Sequence, residues 1–197
     1  MVFYKIVQIL VKFFFLFVFR IKVHGKENMP LSGGAVVAIN HKSNWDVPIA
    51  GIYSPRQLGF MAKAELFKNK ILSWLFTSLG AFPVQRGKGD IGAIKSALLR
   101  LRSGQIVAMF PEGKRVKKGE SVNAKPGAVM LATRANVPVV PIKLTGNYKW
   151  FSKIDMYIGK PVDYSDITEK LTADDLQKLA NELMNTINNL DNVWRFC

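Results

Sequence analysis

The sequence predicts an α/β fold: one domain with a mixed, largely parallel sheet flanked by helices, preceded by an N-terminal membrane-embedded helix. Three observations carry this. Short apolar runs with β-like composition alternate with helical-period segments along the chain, the order that builds a parallel sheet covered on both faces. The 197 residues are 49% hydrophobic, enough for one sizeable core. The first 22 residues, MVFYKIVQILVKFFFLFVFRIK, are far more apolar than the rest.

That N-terminal segment is expected to form its own unit over residues 1–22, with the domain proper at 23–197. Ile6 to Phe19 would extend about 21 Å as a helix, at ~1.5 Å per residue. A bilayer core is about 30 Å thick, so the segment is expected to lie in one leaflet rather than span. Phe13 to Phe19 are apolar on every face of a helix. Lys5, Gln8 and Lys12 share one stripe, expected at the lipid headgroups. Arg20-Ile21-Lys22 follow the apolar run where a signal peptide would need small residues, so cleavage is not expected. A helix packed on the protein's own sheet is the competing possibility.

Strands are expected at 34–39, 57–62, 81–84, 105–110 and 137–144. Residues 90–104 read as a helix capped by Asp90, with Ile91, Ile94, Leu98 and Leu101 buried and Gly104 ending it. Residues 125–136 read as another, with Pro126 in its first turn. A closing helix follows Thr172 and Asp175, a capping-box pair, with Leu176, Leu179, Leu183, Ile187 and Leu190 as its apolar stripe. Between the second and third strands, Ile71, Leu72, Leu75, Phe76 and Leu79 share a helical face expected to meet the core. Trp74 and the nearby lysines suit a membrane interface.

Three loops follow predicted strands and gather ionisable residues: His41 and Asp46, then Arg86 and Lys88, then Glu112, Lys114 and Arg115. In parallel sheets such loops share the rim where ligands bind. His41 can take a proton from a hydroxyl near neutral pH, and a carboxylate on its other ring nitrogen would orient it. The same pair alone would also fit a structural histidine. Pro111 and Gly113 set a tight turn beside Arg115, and an arginine matches a phosphate with a bidentate fork. Arg86 admits the same use, and Glu112 could accept a hydrogen bond from a polyol. His24 lacks such neighbours and is taken as incidental.

Other classes fail on pattern. Lys and Arg number 28 against 14 acidic residues, a net charge of +14, which favours anionic bilayers, carriers or phosphorylated substrates. Charge alone would also suit a non-enzymatic protein binding nucleic acid or membrane, but no nucleic-acid motif is present and no nucleic-acid partner is expected. The lone Cys197 excludes an internal disulfide and a cysteine metal site. There is no P-loop, H-E-x-x-H or G-x-S-x-G.

Four ordered blocks now carry a resemblance. NHKSNWD resembles the N-H-x-x-x-x-D block of the glycerolipid acyltransferases, GAFPVQRGKGD their arginine block, FPEGKR their F-P-E-G-x-R block, and VPVVPI their later proline block. Lys114 stands where threonine is common, and Gln85 where an acidic residue is frequent. The resemblance is closest to bacterial 1-acylglycerol-3-phosphate acyltransferases. It implies acyl transfer from coenzyme A or acyl carrier protein to the sn-2 hydroxyl of lysophosphatidic acid, giving phosphatidic acid for phospholipid synthesis. It implies His41 as base, Asp46 as its orienter, and Arg86, Glu112, Gly113 and Arg115 on the acceptor. The thioester is already activated, so no metal or cofactor is expected, the acyl donor being a co-substrate. Lys88, Lys114, Lys117 and Lys118 are expected to attract anionic lipid or carrier, and the protein to sit on the cytoplasmic face of the cell membrane. The same chemistry on another lysophospholipid is the nearest alternative.

Overall fold

The structure, a computed structural model, describes residues 2–84, 91–116, 120, 122–167 and 171–194. Seven strands form one sheet in the order β1-β7-β6-β2-β5-β3-β4. Their bounds are β1 Phe19–His24, β2 Ala35–Ile39, β3 Leu58–Lys63, β4 Phe82–Val84, β5 Ile106–Met109, β6 Val139–Gly146 and β7 Ser152–Ile158. The helices are α1 Val2–Val18, α2 Asp46–Tyr53, α3 Lys70–Ser78, α4 Ile91–Arg102, α5 Gly127–Ala135 and α6 Ala173–Val193.

β2 to β6 run parallel, and β7 returns antiparallel to β6. β1 pairs parallel to β7, so the sheet is mixed. The all-apolar β2, Ala-Val-Val-Ala-Ile, is buried at every position because strands flank it and helices cover both faces. Odd and even residues of this strand feed opposite cores. Ala35, Val37 and Ile39 meet Phe15, Ile49 and Ile142 on the side of α1 and α2. Val36 and Ala38 meet Ala97, Leu131 and Ile187 on the side of α4, α5 and α6.

The five expected strands are present within two residues at their ends. The Thr172 hydroxyl accepts from Asp175 N, and the Asp175 carboxylate accepts from Thr172 N, completing the expected capping box of α6. In α4 the buried stripe is Ala93, Ala97 and Leu101, while the expected Ile91 is exposed. Ala97 and Leu101 of α4 share their core with Ala128, Leu131 and Ala132 of the neighbouring α5. Asp90, its expected cap, lies outside the described residues.

The N-terminal segment differs from expectation in three ways. Its helix stops at Val18, and Phe19 begins a strand that joins the sheet, so a boundary at residue 22 would cut β1. Phe15, Val18 and Phe19 belong to the domain's core. Of the polar stripe, Gln8 and Lys12 face inward, joined by Tyr4, while Lys5 stays exposed. Gln8 Nε2 donates to Ile52 O at 2.7 Å, Tyr4 Oη donates to Gly51 O at 2.6 Å, and Lys12 Nζ lies 5.7 Å from the centre of the Tyr53 ring. The end of α2 leaves these carbonyls without helical partners, and polar side chains from α1 satisfy them. The opposite face of α1, with Ile6, Ile9, Leu10, Phe13, Phe14, Leu16 and Phe17, is exposed and uniformly apolar. Among the described residues, no helix is long and apolar enough to cross a membrane.

α3 also departs from expectation. None of its residues is buried; Ile71 is 76% exposed, although it was expected to face the core. This helix rests chiefly on the turn before it rather than on the sheet, so its apolar side chains stay uncovered. Trp74 meets Phe3 of α1 at 4.8 Å between ring centres.

Candidate active site

β2 ends at Ile39, and the next two residues are tied to its neighbours on either side. Asn40 Oδ1 accepts from Leu144 N at 2.7 Å, and Asn40 Nδ2 donates to Leu144 O at 3.0 Å. The side-chain amide thus imitates one more rung of the β2–β6 ladder. His41 N donates to Glu112 Oε2 at 2.5 Å, across from the loop after β5, and Val116 N donates to His41 O at 2.8 Å. Both main-chain groups of the histidine are therefore held.

The imidazole is held as well. Its ring stacks on Phe110 at 4.0 Å between centres, and His41 Nδ1 lies 2.9 Å from Asp46 Oδ2. The same oxygen accepts from Lys42 N and Ser43 N, each at 2.7 Å. The chain turns tightly here, with Asp46 N donating to Ser43 O, and α2 begins at Asp46. This geometry brings residues five apart into contact. Ser43 caps no helix N–H through its side chain; its hydroxyl accepts from Trp45 N instead. Tyr148, in the turn after β6, donates to Asp46 Oδ1 at 2.5 Å.

Asp46 is fully buried, while the His41 side chain keeps 18% exposure. The carboxylate, an acceptor surrounded by donors, holds the imidazole proton on Nδ1. That leaves Nε2 with a lone pair to take a proton from a hydroxyl. Trp45 packs edge-on against Phe15 and Phe19, joining this loop to the end of α1.

Glu112 is 5% exposed. Burial pushes its carboxyl up to about 7, offset in part by the hydrogen bond from His41 N. Sequence reasoning assigned Glu112 to an acceptor polyol; in the structure one of its oxygens braces the main chain of His41. Gly113 closes the turn through Gly113 N to Phe110 O at 2.9 Å, with φ at +68°, where glycine is favoured. Arg115 and Lys114 are exposed beside it, and Lys125 crosses close to Gly113. Arg86, Lys88, Lys117 and Lys118 lie outside the described residues.

The structure thus unites His41, Asp46 and Glu112 and adds Tyr148 and Phe110, which sequence reasoning missed. Tyr148 had a signal: Gly146-Asn147 is a turn pair after an expected strand, so the next residue falls on the same rim. His24 ends β1, paired with Asp155 at 3.0 Å and stacked on Tyr157, three strands across the sheet from β2.

A family model described as Acyltransferase matches residues 20–145. The 1-acyl-sn-glycerol-3-phosphate acyltransferase of Bacillus subtilis is 34% identical over 178 residues, covering 87% of this chain and 88% of the relative. A lyso-ornithine lipid O-acyltransferase of Pseudomonas aeruginosa is 34% identical over 108 residues, 54% of this chain and 41% of the relative. The crystal structure of the 1-acyl-sn-glycerophosphate acyltransferase of Thermotoga maritima shares the fold. It superposes with a TM-score of 0.76 at 24% identity, over 96% of this chain and 79% of that one. With its His41–Asp46 pair set at the end of β2 and such similarity across most of its length, the chain belongs to the acyltransferase family.

Proposed function

We propose that this enzyme transfers a fatty acyl group from a thioester to the sn-2 hydroxyl of 1-acylglycerol 3-phosphate. The observation that carries the chemistry is the His41–Asp46 pair, with Asp46 buried and fully engaged and His41 Nε2 left to act. The relative from Bacillus subtilis supports the acceptor. His41 Nε2 takes the hydroxyl proton as the oxygen attacks the thioester carbonyl. The tetrahedral intermediate expels the thiolate, and the proton passes from His41 to the leaving sulfur. Asp46 supports the imidazolium between these steps. Arg86 and Arg115 bind the acceptor phosphate, with Gly113 giving the turn its shape and the free edge of Glu112 meeting the glycerol. Coenzyme A and acyl carrier protein are both fitting donors. Acyl transfer measured with lysophosphatidic acid and other lysolipids, each with both donors, tests the assignment. A clear preference for lysophosphatidic acid is expected, and turnover with none of the lysolipids would refute it. A preference for lyso-ornithine lipid is the second outcome worth measuring, given the Pseudomonas relative.

The protein is also proposed to work on an anionic membrane, at the cytoplasmic face, with α1 lying in one leaflet. Its seven exposed apolar side chains are each half or more exposed. Burying that surface in lipid is worth on the order of 10 kcal/mol, at about 1.5–3 kcal/mol for a whole side chain. Trp74 of α3 and the Trp150–Phe151 pair beside the end of α1 are exposed aromatics suited to the interface. Deleting α1 would remove Phe15 and Val18 from the core. The informative variant therefore changes Ile9, Leu10, Phe13 and Phe17 to serine. The folded variant should lose vesicle binding, and retained binding would refute the assignment.

A further inference from the structure

The β6–β7 turn carries an unexplained arrangement. It holds two non-glycine residues with positive φ, Tyr148 at +55° and Phe151 at +57°. That region is disfavoured for L side chains and persists only when surrounding contacts impose it. Two contacts do so here. Phe151 N donates to Val18 O at 2.7 Å, pinning the turn to the end of α1. Tyr148 reaches back over the sheet end and donates its hydroxyl to Asp46 Oδ1. Its ring packs on the core beneath α1 and α2.

We infer that Tyr148 is a positioning residue of the acyl-transfer reaction, holding the Asp46 carboxylate and setting how strongly it supports a proton on His41. Oδ2 of Asp46 is already held by Lys42 N, Ser43 N and His41 Nδ1. The Tyr148 hydroxyl engages the other oxygen, so it governs the charge that the carboxylate presents to the ring. Burial and the adjoining carboxylate push the phenol well above its ordinary range, so it stays a donor throughout the working pH. Among the described residues, the other titratable groups that interact around His41 are Glu112 on its main chain and Lys42 beside it. Both are unaltered by a change at position 148. A shift in the pH profile therefore reports the Asp46–Tyr148 contact.

The proposal rests on His41 being the base, and the experiments separate the two. Tyr148→Phe keeps the ring and removes the donor. With Asp46 carrying more unshared charge, imidazolium is favoured, and the acidic limb of kcat/KM should move to higher pH by about half to one unit. The limiting kcat should fall about tenfold. The acceptor's KM should stay within about twofold, since Tyr148 touches no substrate in this assignment. Site-specific 3-fluorotyrosine at position 148 preserves the shape and makes a stronger donor, so the limb should move to lower pH. This second protein decides the question if the phenylalanine variant fails to fold. An unmoved limb in folded 3-fluorotyrosine protein would overturn the proposal. Normal turnover in folded His41→Ala protein would instead overturn the assignment beneath it.

Discussion

Replacing Asp46 by asparagine separates two roles that a triad-like carboxylate can play, charge and orientation. In an isolated His–Asp pair the amide can turn its NH2 group to the imidazole, impose the wrong tautomer and cost about 10⁴ in rate. Here the site opposes that rotation. The position of Asp46 Oδ2 faces two main-chain donors, Lys42 N and Ser43 N, at 2.7 Å each. An NH2 group placed there would meet both N–H groups head-on and lose two hydrogen bonds. With the amide oxygen at that position, both bonds survive and His41 Nδ1 keeps an acceptor. The NH2 group then faces the Tyr148 hydroxyl, which can rotate to accept. The correct tautomer is retained, and only the charge is lost. A hydrogen bond to a charged partner contributes about 1.5–3 kcal/mol and a neutral one about 0.5–1.5 kcal/mol. The difference, about 1–2 kcal/mol, predicts a loss of roughly 5- to 30-fold in kcat. This is far smaller than the cost of a wrong tautomer. Steady-state acyl transfer from a thioester, with thermal unfolding as a check on folding, measures it. A loss near 10⁴ in folded protein would show that the amide does flip, and that the two main-chain donors do not control its orientation.

His41→Ala removes the base and should lower turnover by about 10² to 10⁴ with the fold retained, measured by the same assay. Arg115→Lys replaces a planar fork by a point charge and should raise the KM for lysophosphatidic acid about tenfold, with little change for the thioester. An effect confined to the thioester would move Arg115 to the donor site. Glu112 gives a pH dependence of stability. Its carboxyl loses its proton near 4.5 in the unfolded chain and at about 7 in the native protein. Between those values the native state holds the extra proton, so stability falls as pH rises, by at most about 3 kcal/mol. Denaturant unfolding at pH 4.5 and pH 8 should show that loss in the wild type and its absence in Glu112→Gln.

The sequence by itself determined the five parallel strands β2 to β6, the capped α6 and the two residues of the His41–Asp46 pair. Those features are local. An apolar run such as Ala35–Ile39 has few alternatives to a buried strand, and a capping box spans four residues. The order of the four motif blocks also sufficed to identify the family. It did not reveal β1, although Phe-Arg-Ile-Lys-Val-His alternates with strand period, because the preceding apolar run absorbed its first residue into a helix. β7 was missed for another reason: Ser152, Lys153 and Asp155 break the apolar run of Ser-Lys-Ile-Asp-Met-Tyr-Ile, and only pairing with β6 and β1 makes it a strand. Which face of α1 meets the protein was decided only in three dimensions. Unpaired carbonyls at the end of α2 draw Tyr4 and Gln8 inward, which leaves the apolar face outside. The fate of the Glu112 carboxylate and the arrival of Tyr148 at Asp46 were decided there too. Both contacts join segments 71 and 102 residues apart, and only the side-by-side placement of β5, β2 and β6 brings them within hydrogen-bond reach.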